Sequence, residues 1–151
     1  MPPTGVPIPV HVNFKGISYD SATGQWTIPS GAPDWSVPAT VAVASGNNLL
    51  TWTLTTSHLP AGFTPVFDPS AGIVFDADWP GGSPTMVNNT TIEATDDFPQ
   101  GSNSDEYYYS VTVDLQQTNG TVTKSFTLDP DIQNQGANPV IRYVMKSAAV
   151  V

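Results

Sequence analysis

At 151 residues the chain is long enough for one domain with a single buried core. Only 11% of its residues are charged, the formal net charge is -9, and the cations are Lys15, Lys124, Arg142 and Lys146 alone. That balance excludes a phosphate-neutralising nucleic-acid surface and disfavours anionic membranes. The lack of cysteine removes disulfides, thiolate metal sites and cysteine nucleophiles.

The first ten residues, MPPTGVPIPV, hold no basic segment and no apolar run of signal-peptide length. No stretch approaches the roughly 18 apolar residues of a membrane helix. The chain is therefore expected to be intracellular by default and to have no membrane partner.

From there a period of two dominates. In IPVHVNF, Val10, Val12 and Phe14 face one way and His11 the other. YDSATGQWTI reads as a turn into a short strand, with Asp20 capping the bend and Gly24 free to take positive φ. After an irregular stretch, 29–38, ATVAVA carries Val41 and Val43. LLTWTLTT then sets Leu50, Trp52 and Leu54 against Thr51, Thr53 and Thr55. FDPSAGIVF repeats the aromatic-Asp, small polar pair and glycine of the earlier turn, with Asp68 and Gly72 in the matching roles, so a second hairpin turn is expected. NTTIEAT is another strand, between irregular stretches at 75–84 and 96–104.

EYYYSVTVDLQ places Tyr107, Tyr109, Val111, Val113 and Leu115 on one face. Tyr108, Ser110, Thr112 and Asp114 fall on the other, as in a half-buried strand. Thr118-Asn119-Gly120 turns the chain, and TVTKSFTL returns with Val122, Phe126 and Leu128 inward, giving a hairpin. In FTLDPDIQNQG, Pro130 cannot donate to a ladder, so pairing is expected to end there, with Asp129 capping a turn before PVIRYVM. No segment of ten residues shows a helical period. About eight or nine short strands with turns between them predict a single all-β domain, 1–151, folded as an antiparallel immunoglobulin-like β-sandwich.

Acid-rich loops are the first candidates for chemistry. Asp76 and Asp78 stand beside Trp79 in FDADWPGG, and Asp96 and Asp97 open a stretch that ends in Asp105 and Glu106. Asp129 and Asp131 flank a proline. Carboxylate pairs on bent loops suit a Ca2+ ion, which takes six to eight oxygens, although DPDIQNQG lacks the spacing of a helix-loop-helix calcium loop. The competing reading is solvated turn carboxylates capping backbone amides. A tryptophan beside a hydrogen-bonding acid, as at Trp35 and Trp79, suits a sugar ring and equally suits loop packing. Paired acids would also serve glycoside hydrolysis if they lined a cleft. His11 and His58 are far apart, and no nucleophile elbow, zinc motif or phosphate loop accompanies them.

Two stretches carry a resemblance. LPAGFTPVFDPSAGIVF resembles the strand-turn-strand of bacterial immunoglobulin-like modules. FTLDPDIQNQG, with TWTL, IVF and the ATDDF loop, resembles the small bacterial DP-EP family, whose function is unknown. The chain has the Asp-Pro dipeptide at Asp129-Pro130 and no Glu-Pro. The resemblance implies a β-sandwich and supplies no reaction, cofactor or functional residues. The functional expectation is a non-enzymatic binding or structural module that forms a homo-oligomer through Thr-rich strand edges. The alternative is a lectin-like module that binds a glycan or protein partner, with or without Ca2+, through Asp76, Asp78, Trp79, Asp96 and Asp97. In that reading Asp129 and Asp131 are the metal candidates.

Overall fold

The computed structural model describes residues 3–38, 40–43, 46–75, 81–98, 105–128 and 131–134. Side chains are described for all of these except 40–43, 46, 97–98, 105–108 and 131–134. The described residues are all-β, without a helix, and hence without one long and apolar enough to cross a membrane. In chain order the strands are β1 (Thr4–Asn13), β2 (Ser18–Asp20), β3 (Gln25–Thr27), β4 (Asp34–Ser36), β5 (Thr40–Val43), β6 (Gly46–Ser57) and β7 (Phe63–Phe67). They continue with β8 (Ile73–Phe75), β9 (Thr85–Asn88), β10 (Thr91–Phe98), β11 (Asp105–Gln117), β12 (Thr123–Leu128) and β13 (Asp131–Asn134).

One sheet has the order β4-β1-β6-β10-β9. The other runs β12-β11-β13-β5, with β7 and β8 also paired to β11, and β2-β3 is a separate hairpin. These described strands do not close a barrel. β4 and β5 follow one another closely but pair in different sheets, β4 with β1 and β5 with β13.

The pairing corrects three expectations. Two strand pairs are parallel rather than antiparallel. β1 runs beside β6 from Thr4↔Asn48 to Asn13↔Ser57, and β13 runs beside β5. Alternation specifies which face a side chain takes, not the direction of the neighbouring strand.

FDPSAGIVF, secondly, is not a hairpin. β7 and β8 lie along the same edge of β11, with Phe67 opposite Val113 and Ile73 opposite Val111. The five residues 68–72 form a jog opposite Thr112 alone. The Asp68 N–H donates to the Thr112 carbonyl, and the Thr112 N–H donates to the Gly72 carbonyl, both at 3.0 Å.

Pairing, thirdly, does not stop at Asp129-Pro130. Leu128 lies opposite Val111 and Asp131 opposite Tyr108, so β13 resumes along β11 in the register of β12. A proline is compatible with a ladder wherever no donor is needed toward the partner strand.

The two larger sheets share one core. Val10, Val12, Phe14, Leu50, Trp52, Val111, Val113, Phe126 and Leu128 have no exposed surface, and Leu54 is buried. These are the residues that alternation assigns inward; Val41 and Val43, assigned with them, have side chains outside the described set. Trp52 stacks edge-on against Phe75 and Tyr109 with ring centroids at 5.9 and 5.6 Å. Its indole N–H donates to the Tyr109 hydroxyl at 3.2 Å, so burying the ring leaves no orphan donor. The Phe67 N–H donates to the Asn89 carbonyl at 2.8 Å, tying β7 to the turn between β9 and β10.

Candidate functional site

The central strand β11 departs from a half-buried pattern. Val111 through Leu115 are buried without interruption, so Thr112 and Asp114 are covered although they point away from the core. Small and apolar neighbours close over that outer face. Val66 of β7 sits opposite Asp114 and is itself buried. The Thr112 and Thr127 hydroxyls meet at 3.0 Å, and the Ser125 hydroxyl donates to Asp114 Oδ1 at 2.6 Å. Asp114 is 3% exposed, an unusual position for an acid with no cation beside it among the described residues.

Its other partner is Asp68, carried by the jog. The jog has its own chemistry. Asp68 Oδ1 accepts from the Ser70 N–H at 2.9 Å, the Ser70 hydroxyl at 3.0 Å and the Ala71 N–H at 2.8 Å. The Gly72 N–H closes the turn on the Asp68 carbonyl at 2.8 Å. Asp-Pro suits this start, since Pro69 fixes its φ and Asp68 caps the amides that follow. Gly72 is required by space rather than by a left-handed φ. A Cβ there would lie 2.7 Å from Ile92 Cδ1 and 2.8 Å from the Asp68 carbonyl oxygen.

The register sets Asp68 two residues past Val66, diagonally across the β7–β11 pair from Asp114, where an interaction between the two carboxyl groups calls for a proton between them. Their environments push them apart. Burial raises Asp114, the Ser125 hydroxyl acts against it, and the hydrogen bond and charge of Asp68 add to the rise, bringing it to about 6. Burial also acts upward on Asp68. The hydrogen bonds from Asp114, Ser70 and Ala71 outweigh it and hold Asp68 below its ordinary value. The pair thus holds one proton, on Asp114, up to about pH 6.

Asp114 is buried and Asp68 partly exposed, and the space beside them is small. The cavity beside Asp68, lined by Ser70, Ile73, Pro84, Met86 and Ile92 among others, is about 60 Å³. It is too small for a sugar ring.

The residues singled out in the sequence are not gathered at this pair. Asp76, Asp78, Trp79 and Asp129 lie outside the described residues. Asp96 and Asp97 belong to β10 rather than to a loop, opposite Asn48 and Asn47, because that strand runs on to Phe98. Asp96 is 1% exposed, and its carbonyl accepts from the Asn48 side-chain amide at 3.4 Å. Asp131 lies on β13, in the other sheet. Among the described residues no group of three or more His, Asp or Glu is placed to hold a metal ion.

The described tryptophans and histidines are engaged in packing or hydrogen bonds. Trp35 lies on β4 rather than in a loop and packs on the core. Trp26 packs against Tyr19 and Phe63 with centroids at 5.0 and 4.9 Å. His11 bonds to Thr55 and Ser57 across the parallel β1–β6 pair, and His58, at φ 54°, bonds to Asn13.

Asp114 is what sequence reasoning passed over. Alternation put it on a solvent face; the usable signal was an acid mid-strand beside Val111, Val113 and Leu115. Compared with known proteins, the chain matches no protein-family model, and no curated protein resembles it significantly.

Proposed function

We propose that the chain is a non-enzymatic immunoglobulin-like β-sandwich module that pairs with a second copy of itself through the edge strand β9. The observation that carries this reading is a contrast between sheet edges. On the β1 side, β4 covers only His11–Asn13, and Pro7 and Pro9 occupy the uncovered part of β1. Prolines there remove donors and block pairing by an incoming strand. β9 (Thr85–Asn88) has no proline and no charge and, among the described residues, pairs only with β10. Val87 on it is 54% exposed. An edge of that kind is a template for strand addition. The non-enzymatic part is supported by the acid pair, in which Asp68 Oδ1 and Asp114 Oδ1 accept hydrogen bonds from within the fold, and by the small cavity beside it.

A net charge of -9 opposes association of two copies, so pairing is expected to strengthen with salt. Sedimentation equilibrium at increasing concentration and ionic strength tests this. The expected result is a monomer–dimer equilibrium shifted toward dimer by salt and abolished in Val87→Lys, with the variant's stability within about 0.5 kcal/mol of the parent. A strict monomer at millimolar concentration in high salt contradicts the proposal.

A further inference from the structure

We propose that Asp68 and Asp114 form a proton-operated latch, in which one shared proton holds the 68–72 jog against β11 and its loss releases the jog. Asp114 cannot move away, because it sits mid-strand with β7 on one side and β12 on the other. Asp68 is bonded through one oxygen to Ser70 and Ala71, so the turn moves with it as a unit. The jog is fastened to β11 by two backbone hydrogen bonds, both to Thr112, while β7 and β8 on either side keep their own ladders. Repulsion between two carboxylates therefore acts on the least anchored segment of that edge.

Among the described residues no opposite charge offsets the second carboxylate. The groups facing the pair are uncharged on each neighbouring element. They are Val66 on β7, Ser125 and Thr127 on β12, Ser70 in the jog, and Met86 and Ile92 beyond Asp68. Lys124 pairs opposite Leu115 and so takes the other face of β12 from Ser125. Among the described residues no cation acts on either carboxyl. The rise of Asp114 to about 6 sets the release between acidic and neutral pH.

Amide hydrogen exchange at Asp68 and Thr112, the two N–H groups that fasten the jog to β11, corrected for intrinsic chemistry, tests the latch between pH 5 and pH 7.5. Protection of these two amides is expected to fall at least tenfold across the range, while that of the Val66 and Val113 amides stays constant. In Asp114→Asn the side-chain amide donates to Asp68 and its oxygen still accepts from Ser125, so protection of the jog is expected to be independent of pH. Asp68→Asn keeps the turn-capping oxygen and supplies the same donor. It provides an equivalent test should the first variant not fold. Unchanged protection of the jog in the parent protein, or an undiminished pH dependence in either variant, overturns the proposal.

Discussion

The turns Asp20–Gly24 and Asp68–Gly72 close in the same way. In each the aspartate carbonyl accepts from the glycine N–H, at 2.7 and 2.8 Å, and Oδ1 accepts from the amide two residues on, at 2.9 Å in both. Their settings differ. The first is the tip of the β2–β3 hairpin, held to the body by the Tyr19, Trp26 and Phe63 rings, and Asp20 is exposed. The second is a jog within one edge of a sheet, and its aspartate meets another acid. The glycines differ accordingly. Gly24 is needed for its φ of 72°, whereas Gly72 is needed because Ile92 leaves no room for a side chain. One short-range code thus makes the bend in both places, and the surrounding sheet decides whether the bend is a surface tip or half of an acid pair.

Exchanging the glycines separates the two constraints. Gly72→Ala is expected to cost about 3 kcal/mol by overpacking against Ile92 and the Asp68 carbonyl. Gly24→Ala, whose Cβ would meet only the Tyr19 hydroxyl at 3.9 Å and which has a left-handed φ to maintain, should cost about 1 kcal/mol. Chemical denaturation of the two variants measures both. Equal costs would mean that the two turns are interchangeable.

Truncating the aspartates probes the next difference. Asp68→Ala removes three hydrogen bonds to the turn and the partner of Asp114, and should cost about 2 kcal/mol at pH 5. Asp20→Ala loses a single exposed bond to the Ala22 amide, so about 0.5 kcal/mol is expected. Thermal melts at fixed pH rank the pair.

Much of the fold was legible in the chain because burial here follows alternation. The Tyr109–Leu128 hairpin and the Val10-Val12-Phe14 and Leu50-Trp52-Leu54 faces all enter the core as the pattern predicts. What alternation does not encode went unread. The parallel course of β1 beside β6 depends on distant pairing, since His11 opposite Thr55 looks the same in either direction. FDPSAGIVF carries every local mark of a hairpin, and only the shared partner strand β11 makes it a jog. Asp114 was assigned to the solvent face by a rule that holds for its neighbour Ser110, which is partly exposed. It fails where Val66, Ser125 and Asp68 converge. The acid pair lies 46 residues apart in sequence, so no window of strand or turn length contains both members.

The most direct measurement of the central claim is the urea unfolding free energy of the parent and Asp114→Asn from pH 4 to pH 7.5. Folded Asp114 keeps its proton up to about pH 6, whereas the unfolded residue releases it near 3.8. Between those values the folded state binds more protons, so stability falls as pH rises through the window and levels off above it. Asp68 acts oppositely, its contribution being lost as pH drops below the ordinary carboxylate range. The parent is therefore expected to lose about 2 kcal/mol relative to Asp114→Asn between pH 4 and pH 7. A difference between the two proteins that stays constant over that range would contradict a shared proton at the jog.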